Sequence, residues 1–387
     1  MNHDAIIIGG GIIGCTSAFC LARRGLKVAL VEKARIGQGT TANSFTWINA
    51  TSKTSDAAYH RLNAASLAEY CALAVEFGEE ALGLDPTGAL MLVSRSDIAG
   101  HGAMREQARR LEGFGYPVAW VDRAALAVME PHLDLPADTE GIFAPADACL
   151  DTQRFCGFLS GQIRALGGTV LENCPAHELV ATDDGDVTGL VTDRGELSAP
   201  RLLVATGPDT PEVLSELTGY DGFAARFPLS RVPGLLVATP PGLERKFVRR
   251  AIYNDAGTEI HLRPEPGAGL LIGADDIDGL IDEDIAPSQL RKLACELLAR
   301  AGAVLPGFAG TACIDACTLR VGIRPYPRDG MSIAGPMPGA QGLYVIATHS
   351  GITLAPALGG LIAEAMVEGE LPEALRPFAL ERLEGFS

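Results

Sequence analysis

A glycine-rich run, GGGIIG, begins at Gly9, directly after the apolar stretch Ala5–Ile8 and at the start of a helical pattern. This arrangement is typical of a βαβ unit that binds a dinucleotide, because the helix N-terminus offers unpaired N–H groups to the pyrophosphate. In such a unit Gly9 permits the tight turn, Gly11 lets the backbone approach the phosphates, and Gly14 lets the helix pack closely on the strand. Glu32, at the end of the next predicted strand, is placed to bind a ribose hydroxyl and would repel the 2′-phosphate of NADP. The sequence therefore predicts a dinucleotide-binding domain.

The charge of the chain limits its partners. Lysine and arginine number 31 and aspartate and glutamate 48, which gives a net charge of −17. Such a surface repels phosphates, so nucleic acid and anionic membranes are disfavoured as partners. The nine cysteines include no CxxC pair, which favours a reducing compartment and argues against a disulfide framework or a zinc site. We expect a soluble, cytoplasmic enzyme without a metal.

Two uncharged stretches, 5–22 and 342–363, are long enough to suggest membrane segments. Both contain interior glycines, the first lacks a basic leader, and the second also contains His349 and Pro356. We therefore expect each to fold as a strand, a turn and a helix, with no stable insertion into a membrane.

Patterns of the α/β type recur at the beginning, middle and end of the chain, separated by segments that resemble antiparallel strands. The apolar run 202–205 indicates a strand buried on both faces, as in a parallel sheet. We expect an α/β fold: a doubly wound, Rossmann-like nucleotide-binding domain interleaved with an α+β substrate domain on a mixed or antiparallel sheet. The predicted nucleotide-binding domain comprises residues 1–82, 150–222 and 315–387, and the predicted substrate-binding domain comprises residues 83–149 and 223–314.

Four motifs occur in order along the chain: GGGIIG with Glu32, LVATG at 203–207, GIRPYPRDG at 322–330 and IATHSGITLAP at 346–356. With these motifs the chain resembles the D-amino acid oxidase superfamily, in particular its glycine oxidase, sarcosine oxidase and D-amino acid dehydrogenase types. These proteins hold FAD and oxidise C–N bonds of amino acids. The resemblance covers essentially the whole chain and is specific for the superfamily, but not for a substrate.

The resemblance implies where FAD would lie, from the pyrophosphate and ribose to the flavin. The glycine loop and Glu32 would bind the pyrophosphate and the ribose, a threonine loop would line the approach to the flavin, and the last motif would lie beside the isoalloxazine, where a helix starting near Thr353 stabilises negative charge. The implied cofactor residues are Gly9, Gly11, Ile12, Ile13, Gly14, Glu32, Lys33, Thr40, Thr41, Ala42, Ala176, Gly207, Ser350, Gly351, Ile352 and Thr353. Some relatives attach FAD covalently through a histidine or a cysteine. Here Asn43 and Gly322 stand at those positions, so we expect noncovalent FAD.

Arg324 is the main candidate for substrate binding, because the family places its carboxylate-binding arginine at this position. A guanidinium binds a carboxylate bidentately, and Gly322 on the same strand face would leave room for the ligand. Arg320 has no such match and is expected to be structural, either in an interior salt bridge or as a surface residue of the strand. His261 replaces a tyrosine of the glycine oxidase pattern, and either contacts the substrate or is merely packed. For Asp276 a turn or capping role is favoured over a place in the pocket.

The sequence thus predicts an FAD-dependent amino acid or amine oxidoreductase. Its substrate would be a small amino acid or N-alkyl amino acid with a carboxylate, and its electron acceptor oxygen or a quinone. One alternative is a 2-hydroxy acid or polyol dehydrogenase of the same superfamily, with His261 or His349 as the base. Another is a flavin-bearing component of a larger electron-transfer complex, although no cysteine cluster for iron–sulfur binding is present. Stereochemistry and homo-oligomerisation are left open.

Overall fold

The computed structural model describes residues 2–183, 186–218, 226–243 and 246–383. The predicted boundary between domains at 222/223, and the predicted domain ends at 1 and 387, lie outside the described residues.

Strands and helices are numbered along the chain. The strands are β1 Ala5–Ile8, β2 Val28–Val31, β3 Trp47–Ile48, β4 Leu84–Asp85, β5 Ala89–Ser94, β6 Ala119–Val121, β7 Thr139–Ala144, β8 Ala148–Leu150, β9 Thr169–Leu171, β10 Ala176–Ala181, β11 Val187–Thr192, β12 Gly195–Ser198, β13 Leu202–Val204, β14 Leu229–Ala238, β15 Ala251–Asn254, β16 Ile260–Glu265, β17 Gly269–Gly273, β18 Thr318–Pro327, β19 Ile333–Pro336 and β20 Leu343–Ala347. The described helices are α1 Ile12–Arg23, α2 Ala57–Phe77, α3 Glu79–Leu82, α4 Ile98–Gly113, α5 Arg123–Met129, α6 Thr152–Ala165, α7 Thr210–Thr218, α8 Asp275–Asp278, α9 Pro287–Val304 and α10 Gly351–Glu368.

The nucleotide-binding layer is a six-stranded sheet in the order β19-β20-β13-β1-β2-β9, parallel except for β19. Alternate residues of β1 enter different cores: Ile7 packs among residues of α1, α2, α6 and α10, whereas Ile6 and Ile8 pack towards the three-stranded sheet β10-β11-β12. Because both faces are covered, the central strands β1, β2 and β13 are apolar at every position. The predicted doubly wound sheet is confirmed.

The second layer is an eight-stranded mixed sheet in the order β18-β14-β17-β16-β15-β5-β7-β6, in which β15 and β5 run parallel. Residues of α9 cover its apolar core. β18 pairs with β14 along its whole length, from Thr318 opposite Ala238 to Pro327 opposite Leu229. This long ladder places 318–327 in the second sheet, whereas the sequence division assigned 315–387 to the nucleotide-binding domain. A third, three-stranded sheet has the order β3-β8-β4. Its short strands lie in the parts of the chain that connect the two larger sheets.

The two uncharged stretches are internal parts of the fold. The first forms β1 and α1, and the second forms β20, a turn and α10, as predicted. In the described residues α10 is the one helix long and apolar enough to cross a membrane. Most of that helix is buried, from Thr353 to Met366, and it packs against α1 and α2. Its apolar character is therefore explained by packing in the core.

Candidate active site

The glycine loop between β1 and α1 is explained by close backbone contacts. Gly9 has a φ of +108°, and a Cβ there would lie 2.5 Å from the carbonyl oxygen of Ala205. A Cβ on Gly14 would lie 1.8 Å from the carbonyl oxygen of Gly9, so this glycine lets α1 sit directly on the turn. Gly14 does not line the cleft described below, and its role is in packing behind the loop. The motif glycines therefore shape the backbone, as the pattern predicts.

Glu32 follows β2 and holds the loop from the other side. One carboxylate oxygen accepts from the backbone N–H of Gly10 at 2.6 Å, and the other accepts from Ala34 at 2.7 Å. A carboxylate has about four acceptor positions, so two such bonds leave capacity for a ribose hydroxyl. Thr41 also supports the loop, because its Oγ1 accepts from the N–H of Ile12 at 3.1 Å and thereby caps α1.

One cleft of about 1080 Å³ runs from this loop to the N-terminus of α10. Its volume exceeds that of most small-ligand sites and suits a dinucleotide together with a small substrate. The cleft is lined by 17 of the 19 residues predicted for the site: Gly9, Gly11, Ile12, Ile13, Glu32, Lys33, Thr40, Thr41, Ala176, Gly207, His261, Arg324, His349, Ser350, Gly351, Ile352 and Thr353. Gly14 and Ala42 do not line it. The helix expected near Thr353 begins two residues earlier, at Gly351.

The residues present fit an FAD. The glycine loop leaves a backbone cradle at the N-terminus of α1, where the peptide dipoles favour a pyrophosphate. Glu32, at the position expected for the ribose, and the N-terminus of α10 line the same cleft.

The threonine loop is fastened to the second sheet at β18. Thr40 donates its hydroxyl to the carbonyl oxygen of Ile323 at 2.6 Å, and Asn43 Nδ2 donates to the carbonyl of Gly39 at 2.9 Å. A Cβ on Gly322 would lie 2.5 Å from the carbonyl oxygen of Asn43. Gly322 lines the cleft, and its missing side chain also lets the loop backbone approach β18.

Arg324 lies in the cleft wall and is already held in place. Its Nη2 donates to Asp278 Oδ2 at 2.8 Å and to the carbonyl oxygen of Pro233 at 3.3 Å. Asp278 is fixed in turn, because its Oδ1 accepts from the N–H of Leu235 at 2.8 Å. The buried Nε of Arg324 has no partner among the described residues. A carboxylate in the cleft would thus be bound through Nη1, because Nη2 is occupied and Nε is buried, and not through the free fork expected from the sequence.

Asp278 changes the electrostatics of this arginine. Burial raises the pKa of the Asp278 carboxyl to about 6, although the charge of Arg324 acts in the opposite direction. Near neutral pH the aspartate is ionised and compensates part of the arginine charge, and below about pH 6 that compensation is lost.

His261 is a packed ring in an aromatic wall. It stacks on Tyr253 with 3.8 Å between ring centroids, and Phe45 packs edge-on against it at 6.1 Å. Tyr253 in turn packs on Trp47 at 4.4 Å. Burial lowers the pKa of His261 to about 4, so the ring is neutral at physiological pH. Of the two roles considered for it, the structure supports packing in the cleft wall.

His349 uses both of its ring nitrogens within the protein. Nε2 lies 3.1 Å from the carbonyl oxygen of Gly330, and Nδ1 lies 3.1 Å from Ser350 Oγ, which accepts from the hydroxyl of Tyr59 at 2.8 Å. These contacts assign a neutral ring that donates from Nε2 and accepts at Nδ1. Burial lowers its pKa to about 4, and the ring stacks on Tyr326 at 4.5 Å. A role as the base for an alcohol substrate is thereby disfavoured.

Two further residues form ion pairs outside the cleft. Arg320 pairs with Glu265 at 2.8 Å, and Asp276 pairs with Arg300 through both carboxylate oxygens, at 2.7 and 2.8 Å. Neither Arg320 nor Asp276 lines the cleft.

Sequence reasoning missed part of the substrate end of the cleft. Phe45, Trp47, Lys53, Tyr253 and Asp278 all line it, yet they come from three separate segments. None of these residues belongs to a motif. For Phe45, Trp47 and Lys53 the only signal in the sequence was their proximity to the threonine loop. Cross-strand pairing brings Tyr253 opposite His261, and Asp278 ends the short helix that follows β17.

The fold and the cleft define the class of this protein. Residues 4–365 match the family described as FAD dependent oxidoreductase, DAO, and the chain belongs to that family. It is similar to the glycine oxidase of Geobacillus kaustophilus (strain HTA426), at 27% identity over 388 residues that cover 98% of this chain and 97% of the relative. It is also similar to one of the subunits of opine oxidase from Agrobacterium tumefaciens (strain Ach5), at 22% identity and with 98% and 97% covered.

A solved structure supports the same assignment. The crystal structure of glycine oxidase from Geobacillus kaustophilus matches with a TM-score of 0.82 at 25% identity, covering 99% of this chain and 100% of that chain. The protein is therefore an FAD-dependent oxidoreductase that acts on amino acids, as an oxidase or a dehydrogenase.

Proposed function

We propose that this enzyme oxidises the C–N bond of a small amino acid or N-alkyl amino acid, with Arg324 holding the substrate carboxylate. The observation that carries the proposal is the state of this guanidinium. Asp278 and Pro233 fix its Nη2, while Nη1 has no partner among the described residues and 38% of the side chain is accessible along the cleft. A guanidinium that is held in place through one nitrogen keeps the donors of the other for a carboxylate.

In this proposal the side chains orient the substrate, and none of them has to act as a general acid or base. FAD bound in the cleft supplies the acceptor for a hydride from the C–H next to the substrate nitrogen. Arg324 fixes the carboxylate, so the direction of that C–H is set on binding. The neutral rings of His261 and His349 place no positive charge beside the amine, which favours its deprotonated form. The nitrogen lone pair then forms the C=N bond, and water hydrolyses the imine to a carbonyl compound and an amine.

The 2-hydroxy acid alternative needs a base for the alcohol proton. His349 has both nitrogens occupied, and burial lowers the pKa of both histidines to about 4. Because neither histidine is a good base, an amine substrate is favoured over an alcohol substrate. The amine enters the cleft already deprotonated and needs no base.

A flavin-bearing component of a larger complex is the second candidate, because one similar protein is named as a subunit of opine oxidase. The two candidates differ in one measurable property. A self-sufficient enzyme reduces its flavin with substrate when purified alone, and a partner-dependent component does not.

The test is anaerobic bleaching of the purified protein near 450 nm with glycine, sarcosine, D- and L-amino acids and matched 2-hydroxy acids. The proposal expects bleaching by an amino compound and none by the hydroxy acid of the same skeleton. Bleaching by hydroxy acids alone would contradict it. Denaturation with acid should release the flavin into solution, since we propose noncovalent FAD. Reoxidation by oxygen or by a quinone is then compared directly, and cell fractionation tests the proposed cytoplasmic location.

A further inference from the structure

Lys53 lines the cleft together with Arg324, Lys33 and Arg231, and the function proposed above does not use it. It follows β3 and is held at the end of a tight turn, where its N–H donates to the carbonyl of Ala50 at 3.1 Å. Its side chain lines the cleft. In the part of the chain that the structure describes, no carboxylate oxygen lies within 4.0 Å of its Nζ to form an ion pair.

The segment that carries Lys53 is rigidly anchored, unlike a surface loop. Asp147, which is fully buried, accepts from Trp47 Nε1 at 3.0 Å and from Thr51 Oγ1 at 2.8 Å. Gln107 donates to the carbonyl oxygen of Thr51 at 2.8 Å, and the N–H of Asn49 donates to Thr353 Oγ1 at 3.1 Å. The start of the lysine stem is therefore fixed relative to α10 and to the cleft.

The charge of Lys53 is only weakly compensated. Burial lowers the pKa of its amine to about 8, and the carboxylate of Asp275 opposes that change. Asp275 is itself mostly exposed, with 71% of its side chain accessible. Near neutral pH most of the amine is thus protonated inside the cleft, which is the condition under which a buried cation binds an anion strongly.

Arg324 and Lys53 act on the same part of the cleft from different layers. Arg324 belongs to β18 of the eight-stranded sheet, and Lys53 follows β3 of the small third sheet. Both side chains line the cleft that also contains His349, and the positive charges of both lower the pKa of that ring. A substrate bound between the two side chains therefore meets two cations.

We propose that Lys53 binds a second anionic group of the substrate, so that the preferred substrate is an amino acid with two carboxylates, either an acidic amino acid or an N-carboxyalkyl amino acid. This inference rests on the proposed function, in which Arg324 holds the first carboxylate. The aromatic wall of Trp47 and Tyr253 would then cover the carbon chain between the two anions.

The test compares substrates that differ by one carboxylate: N-(carboxymethyl)glycine with sarcosine, and aspartate with alanine. For the unaltered enzyme, kcat/KM should favour the dicarboxylate of each pair. In Lys53→Met the ratio of the two kcat/KM values should fall by at least about 30-fold, mainly through KM, because one partner of a desolvated charge pair is removed. Lys53→Arg should restore much of the ratio. Lys292→Met, the same change at an exposed site on α9, should leave the ratio as it was.

A binding measurement separates this inference from the proposed function. Glutarate and butyrate are unreactive, and their dissociation constants follow from perturbation of the flavin spectrum. We expect glutarate to bind more tightly than butyrate, and Lys53→Met to abolish that difference. This result would support the second anion site even if no amino compound bleaches the flavin. Equal binding of the two acids, or an equal loss for both substrates of a pair in Lys53→Met, would overturn the inference while leaving amine oxidation in place.

Discussion

The two ends of the cleft are built in different ways. At the nucleotide end, backbone atoms of β1, α1 and β13 come so close that only glycine fits at positions 9 and 14. At the substrate end, side chains from β14, β15, β16, β18 and the segment after β3 line the open space of the cleft. Positions 9 and 14 therefore tolerate no side chain, whereas the substrate end tolerates exchange of side chains and determines which substrate fits. Substitutions at the two ends should accordingly differ in kind, and the largest effect is expected at the nucleotide end.

Gly14→Ala should abolish FAD binding and destabilise the fold. The new Cβ would lie 1.8 Å from the carbonyl oxygen of Gly9, so the turn or α1 has to shift. We expect a loss of about 3 kcal/mol or more in the free energy of unfolding. Flavin content per protein and the thermal midpoint measure both effects.

The matched control is Gly360→Ala in α10, where a Cβ meets no heavy atom within 4 Å. Alanine there should keep FAD and raise stability by up to about 1 kcal/mol. A Gly14→Ala protein with full flavin and an unchanged midpoint would show that the loop is less constrained than its geometry indicates.

Arg324→Ala should affect the substrate end alone. It removes the carboxylate anchor and leaves Asp278 as an uncompensated buried anion. We expect kcat/KM for flavin reduction to fall by about 2–4 kcal/mol of transition-state binding, with flavin content retained. Arg320→Ala, on the same strand but paired with Glu265, should change kcat/KM much less. Similar losses in both variants would point to a general weakening of β18.

His261→Phe should make the protein less sensitive to acid. The folded-state pKa of His261 is about 4, below the value of about 6.5 of a free histidine, because burial disfavours the charged ring. The neutral ring therefore contributes stability that is complete above about pH 6.5 and is lost as the pH falls towards 4.

Between pH 7 and pH 5 this loss amounts to about 2 kcal/mol. Phenylalanine keeps the ring stack on Tyr253 but cannot be protonated, so that part of the pH dependence should disappear. Urea unfolding at the two pH values, with FAD in excess, measures the difference. An unchanged pH dependence would mean that the ring is protonated freely in the folded protein.

Asp278→Asn should tighten carboxylate binding slightly at neutral pH. Asp278 has a pKa of about 6, so in the unaltered protein its charge competes for Arg324 above that pH and is neutralised below it. The dissociation constant of propionate should therefore fall as the pH drops from 7.5 to 5.5, by roughly fivefold, or about 1 kcal/mol. In the variant the constant should already be low and nearly independent of pH. Weaker binding in the variant would show that Asp278 is needed to orient Arg324.

The fold was largely readable from local pattern. The glycine loop and the apolar strands of the nucleotide-binding sheet follow from the residue pattern and the turn residues, whereas the position of β18 does not. Its pairing with β14 joins residues about 90 positions apart, and no local signal specifies such a partner. The same distinction holds for the residues of the site. Glu32 and Gly9 belong to a local motif that can be recognised in the sequence, whereas Lys53 and Asp278 reach the cleft through long-range packing.

The sequence by itself determined the dinucleotide loop, the family and the position of Arg324, because each depends on residues that are close together in the chain. Only the tertiary structure decided that Asp278 shares this arginine, that His349 has no free nitrogen, that Gly322 serves packing and that Lys53 faces the cleft. Those features depend on contacts between distant segments, and burial, which follows from such contacts, sets the charge of each group. The chemistry of the substrate end is therefore a property of the assembled layers.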